Sequence, residues 1–177
     1  MSVFVRTGAA AALLGLATIG PALGHEGHHH AGFADGFLHP LTGLDHLAAM
    51  LAVGALAARQ GGANFWLLPA AFLACMAGGA VLALSGVTMP FAEALILGSV
   101  AALALALVLS DRVPGVVALA GSAVFALAHG WAHAAEMPAG GTATLYLSGA
   151  LLATGLLLSI GACVTSLLLA ATRFRPR

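Results

Sequence analysis

Apolar residues in this chain run on in long blocks, and polar residues are largely confined to the breaks between them. Five blocks cover about Gly36 to Ala58, Asn64 to Gly86, Pro90 to Ser110, Pro114 to Glu136 and Thr142 to Thr172. Each reaches the roughly 20 residues that an apolar helix needs to cross a bilayer, and the last has length to spare for tilt. The pattern predicts an all-α integral membrane protein, a bundle of five transmembrane helices. The breaks carry helix-ending chemistry: Gly61-Gly62, Pro90, Asp111-Arg112 with Pro114, and Pro138-Ala139-Gly140-Gly141. Pro90 and Pro114 are placed for first helical turns, where a missing N–H costs nothing. Pro69 lies inside the second block and predicts a kink.

A shorter run from Gly8 to Ile19 follows Arg6 and ends at Pro21 and Ala22-Leu23-Gly24. At about a dozen residues it falls short of a span. A basic start, an apolar middle and a small-residue exit make it a secretory signal peptide; uncleaved, it would be a sixth apolar segment. The expected organisation is a signal peptide over 1–24, an external His-rich leader over 25–35, a transmembrane helical domain over 36–172 and a cytoplasmic basic tail over 173–177. Orientation follows from arginine, because cytoplasmic loops are enriched in Arg and Lys. With the mature N-terminus outside, Arg59, Arg112, Arg173, Arg175 and Arg177 all fall on the cytoplasmic side. This predicts a multi-pass protein of the inner membrane.

Composition agrees: 61% of residues are hydrophobic, and six arginines, no lysine and six acids leave zero formal net charge. The lipid bilayer is the expected partner. Nucleic acid is not, since neutralising phosphates takes a basic stripe. Cys75 and Cys163 lie within apolar runs without a CxxC neighbour, and read as buried free thiols rather than a disulfide or a thiolate metal site.

Against that background two polar clusters stand out, HPLTGLDH from His39 to His46 and HGWAHAAE from His129 to Glu136. Ionisable side chains at membrane depth cost several kcal/mol unless paired, hydrated or bound, so they mark functional sites. The expected topology puts His39, Asp45 and His46 in the outer half of the first span, His129, His133 and Glu136 in the outer half of the fourth, and Glu93 one turn into the third. Imidazole with carboxylate suits a divalent transition metal. At about 100° per residue, His129, His133 and Glu136 share a face, and His39 and His46 superimpose in projection. Asp45 is rotated by about 100° from His46. It either ligates from a distorted backbone or accepts an imidazole N–H and so fixes a tautomer. Pro40 favours an extended residue before it, which would put His39 at the helix entrance as a gate ligand or an N-cap. Glu93 also fits a helix N-terminus, where a carboxylate complements the dipole. Outside the spans, His25, Glu26, His28, His29 and His30 form a tract suited to metal capture, or a polar leader without a fixed role.

The paired motifs resemble the two signatures of the HupE/UreJ family of nickel and cobalt permeases. The resemblance takes in the signal peptide, the small apolar size and the PFAEALILGSV segment that carries Glu93, and so covers essentially the whole mature chain. It implies a transporter and not an enzyme, taking up Ni2+ or Co2+ with no prosthetic group, and Zn2+ is compatible with the same ligands. It also implies metal-site roles for His39, Asp45 and His46 in the first motif and for His129, His133 and Glu136 in the second. Ala134 after the second histidine is a mild departure that removes no ligand type, and the HEGHHH leader is not part of the signature. There is no GxxxxGK loop to hydrolyse ATP. On the residues alone two other classes stay open: an intramembrane metal-dependent hydrolase using Glu136 or Glu93 as base, and a non-transporting metal sensor or chaperone. Gly149, Ala153 and Gly78-Gly79 permit close helix approach, either within one chain or between copies, so they do not identify an oligomeric partner.

Overall fold

The computed structural model describes residues 32–173. The expected signal peptide, the His25 to His30 tract and the end of the basic tail lie outside the described residues. Within them the regular structure is all helix: α1 (Phe33–Thr42), α2 (Leu44–Gln60), α3 (Asn64–Leu84), α4 (Ala92–Val108), α5 (Gly115–Ala135) and α6 (Ala143–Arg173). Three of these, α3, α5 and α6, are long and apolar enough to cross a membrane. At 17 residues α4 is shorter, about 25 Å against a hydrocarbon core of about 30 Å.

The expected first span is two helices, and it begins within the expected leader. Asp35 accepts a hydrogen bond from the Gly32 N–H and starts α1 at Phe33. The chain then bends by 81° between α1 and α2, and the pair passes as one broken span. Pro40 removes a backbone donor near the end of α1, and Gly43 adopts an extended conformation (φ −77°, ψ 106°) that serves as both the C-cap of α1 and the N-cap of α2. The Thr42 hydroxyl donates to the carbonyls of Leu38 and His39 in the preceding turn, and the Gly43 N–H also donates to that of His39. A proline and a glycine three residues apart thus end one helix and start the next. By contrast, α3 continues without interruption through Pro69, since one lost hydrogen bond near its start leaves the rest of the ladder intact.

Successive long helices alternate in direction. α3 and α5 run parallel: Asn64 meets Gly115 at one end, and Trp131 Nε1 donates to the Val87 carbonyl just beyond α3 at the other, 2.7 Å away. Glycines set how closely the helices approach. A Cβ at Gly130 would strike the Met76 carbonyl and one at Gly79 the Leu127 carbonyl, while Gly54 and Gly161 make the reciprocal contact between α2 and α6, and Gly36 and Gly149 between α1 and α6. Gly79, Gly149 and the fully buried Ala153 therefore pack within one chain. Around these crossings Met50, Val53, Leu56, Leu68, Phe72, Met76, Val100 and Leu158 form the core.

Exposed apolar side chains, among them Trp66, Phe91, Val116 and Leu167, cover the outer faces, as expected of helices in contact with lipid. Cys163 is one correction to the expectation of two buried thiols. Both cysteines are free, but Cys163 is exposed on α6 and Cys75 only partly buried. An outward face of an apolar membrane helix puts its small hydrophobes against lipid as readily as against neighbours.

Candidate metal centre

The break at Gly43 builds the first half of the site. It puts Asp45 in the first turn of α2, where a carboxylate complements the helix dipole. From there Asp45 Oδ1 accepts two hydrogen bonds, from the His46 backbone N–H at 2.8 Å and from His46 Nδ1 at 2.9 Å. Gly43 leaves room for this pair, since a Cβ there would lie 3.3 Å from both Asp45 Oδ1 and His46 Nδ1. Of the two roles expected for Asp45, the geometry matches the partner that fixes a tautomer. With the proton on Nδ1, His46 Nε2 keeps its lone pair.

α5 builds the second half by the same logic. His129 Nδ1 lies 2.8 Å from the Phe125 carbonyl one turn back. A carbonyl only accepts, so Nδ1 carries the proton and Nε2 the lone pair. His133, one turn further, is fully buried, and neither ring nitrogen has a partner. Spacing of four along α5 puts both rings on the face that meets α2.

His39 lies inside α1 in its last turn, not at a helix entrance. The bend carries its ring to 4.7 Å from that of His133 and 5.5 Å from that of His46. The His46 ring is in turn 4.7 Å from His133 and 4.8 Å from His129. One nitrogen from each of His39, His46 and His133 falls within 4.8 Å of the others, close enough for a single ion to share. His39 faces outward, 28% exposed, and its Nε2 lies 3.6 Å from Oε2 of the half-exposed Glu136, the C-cap of α5.

Six of the seven expected residues therefore come together, Asp45 from behind His46. Glu93 does not join the imidazoles. It is exposed in the first turn of α4, the position where a helix N-terminus favours an acid, and it is near enough to act electrostatically on Glu136.

His46 Nε2, His129 Nε2 and both nitrogens of His133 are buried without a hydrogen-bond partner. Left unpaired, each such group costs about 1–3 kcal/mol. A divalent transition ion takes neutral imidazole lone pairs directly and would satisfy several at once. Two further groups escaped the sequence reading. The Tyr146 hydroxyl, at the start of α6, is buried and unpartnered with its ring 6.1 Å from that of His39. Ser122 Oγ is likewise buried and unpartnered on α5. Neither belongs to a motif; a lone hydroxyl inside an apolar block was the only available signal.

Residues 11–175 match the family model described as HupE / UreJ protein. The chain belongs to the HupE/UreJ family. Over 143 residues it is 41% identical to Protein HupE of Rhizobium leguminosarum bv. viciae, a match covering 81% of this chain and 75% of that one. No solved structure matches. The HupE/UreJ family is associated with nickel and cobalt uptake, and the family match spans both histidine motifs, α1 to α6 and the linking turns.

Proposed function

We propose that this protein is a permease that moves Ni2+ or Co2+ inward through the imidazole cluster, with the leader and the HPLTGLDH end on the outer face and the arginine-bearing turns in the cytoplasm. The observation that carries this reading is the set of buried imidazole nitrogens with no partner, two of the rings being held in the ligating tautomer by Asp45 and by the Phe125 carbonyl.

An arriving ion first meets the exposed edge of the cluster, His39 and Glu136, where it exchanges water for an imidazole while a carboxylate offsets its charge. His46, His133 and His129 then take it into the dry interior. The His25 to His30 tract supplies ions to that entrance. Beneath His129 lies Phe72, its ring 5.9 Å away, and beyond it the apolar core. This layer must part for the ion to pass. Ser122 precedes His129 by seven residues and so shares its face two turns deeper, and its open hydroxyl offers the next oxygen on the way. An inside-negative potential favours inward movement by about 2.3 kcal/mol per charge per 100 mV, hence about 4.6 kcal/mol for a divalent ion.

One observation favours a second reading. A cavity of about 340 Å³ between α3, α5 and α6, lined by apolar side chains such as Met76, Val81, Leu84 and Leu151, reaches His133. An intramembrane hydrolase would hold an acyl chain there. Purified protein in liposomes under an inside-negative potential separates the readings, with Ni2+, Co2+ and Zn2+ offered to wild type, His46→Ala and His129→Ala. The permease reading expects uptake that both variants abolish. Tight binding without flux would sink it in favour of a sensor, and metal-dependent release of lipid products would favour the hydrolase.

A further inference from the structure

The chain has a single tyrosine, and the fold places it against the imidazole cluster. Tyr146 is 1% exposed, and its hydroxyl has no hydrogen-bond partner. Apart from Ser122, whose hydroxyl is also unpartnered, several hydroxyls of these helices behave differently: those of Ser85, Ser99, Ser148, Ser159 and Thr172 donate to carbonyls of the preceding turn, and Thr154 finds the Met50 sulfur. A phenol cannot fold back onto its own helix in that way. Tyrosines buried in apolar surroundings ordinarily find a partner for the O–H, so an orphaned one stores a cost of the kind borne by the histidines beside it.

Its position gives that cost a use. The ring packs edge-on to His39, centroids 6.1 Å apart, and the Glu136 carboxylate is close enough to act on the hydroxyl electrostatically. His39 and Glu136 lie at the partly open edge of the cluster, 3.6 Å apart, on the side from which the permease reading brings the ion. One turn further along the same face of α6, Gly149 is pressed against the Phe33 carbonyl, which seats the start of α6 against α1.

The geometry points to Tyr146 as a positioning residue for the incoming ion, its phenol oxygen accepting a hydrogen bond from a water still carried by the divalent ion as His39 takes hold. This rests on the permease site proposed above and extends it by one residue on a fourth element, α6. The hydroxyl holds the partly dehydrated ion at the entrance, and it favours ions that accept imidazole while retaining a water over those bound by imidazole alone.

Tyr146→Phe removes the oxygen and keeps the ring, and the single tyrosine makes the test spectroscopic. Ultraviolet resonance Raman of the purified full-length protein reports the hydrogen-bonding state of that one phenol, with and without Ni2+. The expected result is an unbonded hydroxyl in the metal-free protein that becomes an acceptor on Ni2+ addition. In Tyr146→Phe, Ni2+ affinity measured by calorimetry should fall about 5-fold, the scale of one hydrogen bond. Its metal-free melting temperature should be unchanged or higher, since an unpaired buried polar atom has gone. Ni2+ binding with an unchanged tyrosine spectrum, or an unchanged affinity in Tyr146→Phe, would overturn this inference alone. A lowered metal-free melting temperature would also overturn it, by giving the hydroxyl a structural partner. No Ni2+ binding by wild type would overturn both this inference and the site it rests on.

Discussion

The two ends of α2 hold polar side chains in opposite conditions. At its far end, Arg59 donates through Nε to Ser110 and through Nη2 to Asp111 at 3.2 Å, Gln60 Nε2 donates to the Val113 carbonyl at 2.9 Å, and Asn64 Nδ2 donates to Gln60 at 3.0 Å. Partners there are matched donor to acceptor. At its near end, about 20 Å away, His46, His129 and His133 lie together with nitrogens left over. Both regions are polar islands in an apolar bundle, and composition alone ranks them equally. The difference lies in the leftover valence: a network that closes on itself ties helices together, whereas convergent open lone pairs are what the proposed permease site would use to take up an ion.

The sharpest way to break that contrast is Asp45→Asn. An amide in place of the carboxylate no longer imposes the Nδ1–H tautomer on His46, and partners of this kind are worth about 10–100-fold in metal affinity. Ni2+ titration by calorimetry should show a loss in that range, with the helical circular dichroism unchanged. A variant that binds as tightly as wild type would make Asp45 a cap for α2 and nothing more.

A smaller effect is expected from Gly130→Ala, which presses a methyl into the Met76 carbonyl between His129 and His133. Overpacking of this kind costs about 1–3 kcal/mol, so thermal unfolding in detergent should come earlier and Ni2+ binding weaken as α5 shifts. Gly121→Ala, on the same helix but with open space around it, should leave binding untouched. Its stability should rise slightly, by up to about 1 kcal/mol from helix propensity. Equal behaviour of the two alanines would remove the packing argument.

The smallest effect belongs to the closed network. The Arg59 side chain is only 6% exposed but that of Asp111 is 63% exposed, and a pair whose acid stands in solvent contributes about 0–1 kcal/mol, the buried guanidinium keeping its bond to Ser110. Asp111→Asn should lower the unfolding midpoint marginally and leave Ni2+ affinity as it is. A clear loss of affinity would show that the two ends of α2 are coupled.

Much of this was legible in the sequence because bilayer physics makes apolar length readable and polar exceptions conspicuous. The all-helical class, the two motifs and their meeting at one end of the bundle follow from block lengths and alternating direction. Family membership rested on residues present in both motifs. Other features depended on contacts between distant segments. His39 and His46 were matched by projection on a continuous helix, and they do meet, but through an 81° bend at Gly43. Glu93 shared the expected depth without sharing the cluster, since depth places a residue in a layer and rotation decides which neighbour it faces. The glycines that permit close approach were visible, but their pairing, Gly79 with Gly130 and Gly54 with Gly161, was not. Tyr146 gave no signal until α1 folded back onto α6.

X-ray absorption at the nickel edge, on purified protein loaded with one equivalent of Ni2+, tests the central claim most directly. The account predicts multiple-scattering features of at least three imidazoles around the ion, and loss of bound metal in His46→Ala and His129→Ala. A shell of oxygen alone, or an unchanged spectrum in those two variants, would mean that the leftover nitrogens hold no metal.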